Sequence, residues 1–317
     1  MPRVVVIANP VASQFTGGSH RDVMSLLDAT YEVEALWPGS ATEATAASIQ
    51  AVEDGADVVV AMGGDGMVHH VAQGLIGTDT ALAIVPAGTT NVVAQLFDIP
   101  SKQTKAARLI GANPEPRRFG TARLTLLRGG TETVHHAVFA CGLGLDAEVV
   151  KVADADPYRK YRFGAVHYAR SALGVGLKNY PSVRPHVSLT ADDGTREVVT
   201  ALVQFREVYT YFGRIGLRFN DDPPDPMSVL LLERLKRRRV PRILFNALTH
   251  RDLGEITEFE VWSGVESMIF EADPPVAAQA DGEGLGMANA GTLEWIPDSL
   301  GIITGQRAAP TSSSGSP

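Results

Sequence analysis

The chain has 317 residues, 44% of them hydrophobic, so it can bury a large core, and by length it is expected to form two domains. A formal net charge of −8 argues against a surface devoted to nucleic acid, and the single cysteine, Cys141, excludes an intramolecular disulfide and fits a reduced compartment.

The chain opens with MPRVVVIANP, an apolar strand with no basic leader and no separate hydrophobic region, so no signal peptide is expected. Residues 3–7 and 57–62 are continuous apolar runs, as parallel strands buried on both faces should be, and 31–37 and 81–85 add two more. Between them the spacing predicts helices over 19–29, behind a serine cap, over 42–53 and over 66–76, with a further helix over 103–111. Strand and helix in alternation imply right-handed βαβ units, hence an α/β doubly wound parallel sheet over residues 1–115.

Beyond Pro114 the texture changes to short strand-like runs such as ARLTLLRG, TVHHAVFACGLG and MSVLLLE, divided by turn signals. Asp192-Asp193-Gly194 reads as a hairpin turn. Residues 116–292 are therefore expected to form a mostly antiparallel β-sandwich, with one helical insert near 157–178. Residues 293–306 are apolar again and return to the first domain, and the tail from 307 to 317 has the composition of a disordered segment. No apolar run approaches the length needed to span a bilayer.

Two junctions carry the chemistry. Gly63-Gly64-Asp65-Gly66 ends one strand and starts a helix, and Pro86-Ala87-Gly88-Thr89-Thr90-Asn91 ends the next strand. Glycines there let backbone approach a phosphate, and the helix N-terminus favours an anion. A plain tight turn would give the same glycines, but a second such turn at a neighbouring strand end, with Thr89 and Asn91 able to bond phosphate or ribose, favours a nucleotide site. Asn9-Pro10, after the first strand, is a third turn at that edge.

With GLGLDAEV at 142–149 and Asp281-Gly282-Glu283 near the end, the order and spacing of these pieces resemble the diacylglycerol kinase/sphingosine kinase superfamily, in its bacterial lipid kinase branch, over residues 3–303. The resemblance implies an NAD kinase-like nucleotide domain, a lipid-substrate domain, and ATP with Mg²⁺ in the cleft between them. By it, Asn9, Pro10, Gly63, Gly64, Asp65, Gly66, Met67, Gly88, Thr89 and Asn91 would hold nucleotide. Glu283 would stand near the acceptor hydroxyl, with Asp65 a second carboxylate, as orienting group or base. The family's structural Mg²⁺ site matches Asp222, Asp225 and the carbonyl of Met227, although Pro226 stands where glycine is usual, and a solvated acidic loop is the other reading.

The chain departs from the family at several points. Met67, His69 and His70 replace Thr, Asn and Glu after the glycine turn, and the two histidines, which cannot share a helix face, are expected to be polar-face substitutes rather than a metal pair. Arg118 stands where the family carries an aspartate paired with the glutamate of Asp-Gly-Glu; beside Glu283 it would hold that carboxylate ionised, or it could contact phosphate itself. These changes leave two alternatives to an ATP-dependent lipid kinase acting on diacylglycerol, a sphingoid base or a related lipid. One is a weak or inactive homologue that binds nucleotide or lipid, and the other is an NAD kinase.

The basic run from Arg234 to Arg239, in an otherwise acidic chain, reads as an anionic-membrane patch or as ordinary solvated charge. A cytoplasmic protein, peripheral at the inner membrane surface and without nucleic-acid partners, is the expectation, with a homodimer as one option for its assembly.

Overall fold

The computed structural model describes residues 1–144, 184–212, 215–217, 226–234 and 259–305. The predicted helical insert, most of the basic run, and Asp222 and Asp225 lie outside the described residues.

The first half follows its hydrophobic pattern closely. Strands β1 (Arg3–Ala8), β2 (Glu32–Leu36), β3 (Val58–Gly63) and β4 (Ala81–Pro86) alternate with helices α1 (Gly17–Leu27), α2 (Ala41–Glu53) and α3 (Asp65–Leu75). All four strands are parallel, in the order β4-β3-β1-β2. The Val/Ile runs of β1, β3 and β4 are buried on both faces because helices cover both: α2 packs with α3, and α1 packs with α5 (Gln103–Gly111). Helix α1 begins two residues earlier than its pattern predicts. Thr16 is the N-cap and Ser19 the reciprocal partner of a capping box, so the expected serine cap sits three residues inside. A short helix, α4 (Val92–Leu96), was not predicted, since five residues are too few to show a period.

The second half is antiparallel. β5 (Arg117–Arg128) pairs with β6 (Thr131–Ala137), and β7 (Ala140–Leu143), β8 (Val187–Ala191), β9 (Gly194–Val198) and β10 (Thr200–Gln204) follow. The β8–β9 hairpin turns at Asp192-Asp193-Gly194, as expected. Next come β11 (Thr210–Phe212), β12 (Ile215–Leu217), β13 (Ser228–Leu232), β14 (Phe259–Ser263), β15 (Ser267–Ala280) and the 20-residue β16 (Glu283–Ile302). Two cores result: one under the parallel sheet, and one among Leu124, Leu126, Val203, Met227, Phe270, Leu293 and their neighbours.

One hydrogen-bonded sheet nevertheless runs through both halves. β16 pairs antiparallel with β15 and β5, then reaches β4 in parallel at Ile302 opposite Leu82. Leu300, Ile302 and Ile303 complete the first core. Among the described residues, no helix is long and apolar enough to cross a membrane.

Candidate active site

The glycine turns meet at the carboxyl edge of the parallel sheet. β3 ends at Gly63, and Gly64 caps α3 without any side-chain hydrogen bond. The turn after β4 lies directly against it: Ala87 N–H donates to Gly63 O at 2.8 Å, and a Cβ on Gly88 would stand 2.6 Å from Gly64 Cα. A side chain at 88 is excluded by this approach, whereas a Cβ on Gly64 would stand 3.4 Å from Gly88 Cα, in ordinary contact. Asn91 adopts a left-handed conformation (φ 51°), and its amide closes the turn on itself, accepting from Gly88 N–H at 2.9 Å and donating to Gly88 O at 2.8 Å. Asp65 Oδ1 accepts from Val93 N–H at 3.0 Å, so its carboxylate ties the α3 turn to the start of α4.

The loop after β1 is stitched to the same turns. Asn9 Oδ1 accepts from Val11 N–H at 3.0 Å, and exposed Pro10 lies between them. Gln14 donates from its backbone to Ala87 O and from its side chain to Gly88 O, at 2.8 and 2.9 Å. Ser13 and Thr89 hydroxyls lie 3.2 Å apart. Thr89 is exposed, whereas Met67 is half-buried, its Cβ too close to Gly63 for any larger residue there. The structure thus brings together every residue of the sequence-predicted cradle, and gives the side chains of Asn9, Asp65 and Asn91 partners within the protein.

The β15–β16 turn delivers two acids to α3. Asp281 is 3% exposed and left-handed (φ 53°). Its carboxylate accepts backbone N–H groups of Val138, at 2.8 Å, and Phe139, at 2.9 Å, and the Nδ1–H of His69 at 2.9 Å. His69, expected on a polar face, is instead 2% exposed and latched to Asp281: a buried carboxylate needs donors, and an imidazole in the first turns of α3 supplies one. Two residues on, Glu283 lies along the Gly66–His70 face of α3, and a Cβ on Gly66 would collide with its Oε1. Its Oε2 is 3.9 Å from His70 Nε2, and both side chains reach solvent, 33% and 25% exposed. Burial, reinforced by the field of His69, lowers the His70 pKa to about 4. His70 is therefore a neutral imidazole near pH 7, and its approach to Glu283 is not an ion pair. His135 and His136 on β6 are likewise held below the usual histidine range, chiefly by burial.

Arg118 does not stand beside Glu283. It lies opposite Gly301 at the far end of β16, where its guanidinium donates to Asp298 O and Thr78 O at 2.9 and 3.0 Å. Thr78 follows the C-terminus of α3 and Glu283 lies at its N-terminus, so the helix length separates them. Met227 is fully buried in the second core, and its carbonyl accepts from Val265 N–H at 3.0 Å, so that oxygen has a protein donor.

Sequence reasoning missed Arg206. Its guanidinium lies between the rings of Phe97, Phe119, Phe205 and Trp295 and donates to the carbonyls of Phe205 and Gly120. Burial lowers its pKa to about 10, against the opposing charge of Asp281, so it stays protonated and staples the end of α4 to the antiparallel half. A lone arginine after a strand carries no local signal for this. Asp281 did carry one, since a carboxylate directly before the glycine of a hairpin turn can reach back to backbone donors.

Residues 3–123 match the family model described as the diacylglycerol kinase catalytic domain. The chain is 27% identical over 262 residues to a diacylglycerol kinase of Mycobacterium tuberculosis (strain ATCC 25618 / H37Rv), covering 80% of this chain and 82% of that protein. It is 32% identical over 104 residues to a diacylglycerol kinase of Bacillus subtilis (strain 168), covering 32% and 34%. A crystal structure of a diacylglycerol kinase from Bacillus anthracis str. Sterne has the same fold, with a TM-score of 0.68 at 17% identity over 96% of this chain and 97% of the other.

Proposed function

The chain belongs to the diacylglycerol kinase and related lipid kinase superfamily, and on that premise we propose that it transfers the γ-phosphoryl group of ATP to a hydroxyl of a membrane lipid such as diacylglycerol or a sphingoid base. The observation that carries this reading is the placement of Glu283, a solvent-reaching carboxylate from the second half of the chain, on Gly66 in the first turn of α3.

A triphosphate fits the cradle on structural grounds. Gly64 and Gly88 keep the turns bare of side chains, and the α3 N-terminus, without a side-chain cap, offers backbone N–H groups and partial positive charge to an anion. ATP, with the divalent cation that accompanies its phosphates, is the phosphoryl donor. The protein's part is to hold the phosphates at the glycine turns, with Thr89 at their rim, and to take the acceptor hydroxyl's proton onto Glu283 as the new P–O bond forms and ADP leaves. The neighbouring His70, 3.9 Å from Glu283 Oε2, is a neutral imidazole near pH 7. Arg118 is anchored at the opposite end of α3, away from Glu283. The family aspartate it replaces is still missing and Met67 still stands in place of a hydroxyl, so a weak or inactive homologue is the second reading, which the assay below separates. The basic run from Arg234 suits the approach of such an enzyme to an anionic bilayer.

Transfer of labelled γ-phosphate from Mg-ATP into mixed micelles holding diacylglycerol, sphingosine or ceramide tests the reading. The native chain is expected to label one of these lipids, and Glu283→Gln to lose about 10²–10⁴-fold in rate while still binding ATP. A native chain that binds ATP and labels none of them, or a Glu283→Gln variant at full rate, contradicts it.

A further inference from the structure

β2 stops at Leu36, and Trp37 follows it at the carboxyl edge of the sheet, 55% exposed. Its indole packs on the ring of His20, in the first turns of α1, at 5.5 Å between centroids and an interplanar angle of 48°. His20 in turn packs on Phe15 at 5.8 Å and 45°. Phe15 directly follows Gln14, whose side chain and backbone are bonded to the Gly88 turn. A file of three rings thus starts beside the glycine cradle and ends on an open indole.

Two further observations point to a ligand there. His20 Nε2 is buried and has no hydrogen-bond partner, and burial lowers the ring's pKa, so a neutral imidazole keeps one polar atom unanswered. The strand order β3-β1-β2 also fixes the reach: two strand spacings set the end of β2 roughly 10 Å from the end of β3. That is comparable to the span of a nucleoside triphosphate from its terminal phosphates to its base.

We propose that Trp37, backed by His20 and Phe15, is the platform on which the base of the bound nucleotide stacks. The proposal rests on the nucleotide-binding reading above and adds the subsite that grips the base. An exposed aromatic face held by a second ring offers a base stacking surface without ordering a flexible side chain, and such stacking is tolerant of base identity.

Calorimetric titration of the full chain, in Mg²⁺, with ATP and separately with inorganic tripolyphosphate is the test, on the native protein, Trp37→Ala and Trp37→Phe. Trp37→Ala is expected to raise the Kd for ATP roughly 5- to 100-fold. Trp37→Phe should restore most of the affinity, and tripolyphosphate should bind all three alike. An ATP affinity unchanged in Trp37→Ala, whatever that variant loses on lipid vesicles, overturns the platform, as does an equal loss for both ligands. A native chain that binds tripolyphosphate as tightly as ATP also overturns it. No binding of ATP by the native chain at all overturns the nucleotide reading, and the platform with it.

Discussion

Gly66 has two roles that a single substitution can separate. In the first turn of α3 its backbone is helical, so alanine there should favour the helix by up to about 1 kcal/mol. The same Cβ collides with Glu283 Oε1, the far end of a flexible side chain that can swing away. Gly66→Ala is therefore expected to keep or slightly raise the melting temperature while lowering phosphoryl transfer at least roughly tenfold, because a displaced base loses its near-attack geometry. A thermal melt run beside the micelle assay reads both. Single residues were legible in the sequence where close approach dictates them: a Cβ on Gly88 would strike the Gly64 backbone, and one on Gly63 would strike Met67. They were not legible where a side chain's partner comes from far along the chain. Asp281 and His69 are 212 residues apart, and nothing local to either names the other. Asn91 and Asp65 looked like ligand contacts by residue type, yet in the fold their oxygens cap backbone groups.

Helix α3 is the element on which the two halves of the chain converge. Asp65 reaches α4, Gly66 and His70 face Glu283, His69 holds Asp281, and Gln73 exchanges two hydrogen bonds, both 2.9 Å, with the backbone of His136 on β6. This element also makes the fold acid-sensitive. His70 has a folded pKa of about 4, below its unfolded value near 6.5, so above that range both states are neutral and no penalty exists. As pH falls below 6.5 the unfolded chain gains a proton that the folded chain refuses, and stability is lost down to about 4. By about pH 5 the loss from His70 is on the order of 2 kcal/mol, and His135 and His136 shift in the same direction. Urea unfolding at about pH 7.5 and pH 5 should show it, with a shallower pH dependence in His70→Gln. Elements were legible to within a residue or two wherever a period had room to repeat, as in α2 and α5. They were missed where it had none, as in α4.

At the scale of the whole molecule, two hydrophobic cores divide the described residues into a parallel-sheet half and an antiparallel half, but the hydrogen bonding does not, because β16 belongs to both. The sequence showed an apolar C-terminal return. It could not show that the same strand begins at Glu283, since a 20-residue strand with a register shift near Ile296 has no single alternation to read. Residues 1–123 alone would lack Leu300, Ile302 and Ile303, and would leave the edge of β4 open. That fragment is expected to aggregate on expression, and size-exclusion chromatography of it beside residues 1–305 checks the point.

The continuity of β16 also bears on how the cleft can respond to what enters it. Glu283 lodged on Gly66 and Ile302 paired beside Leu82 are two pegs on one length of backbone, so the gap between acid and cradle is gauged when the chain folds. A molecule wedged into that gap would have to unzip paired strand rather than turn a hinge. Such a protein is built as a frame rather than a jaw: bulky intruders should meet stiffness, and under the proposed reaction the acceptor must enter through the opening that folding leaves.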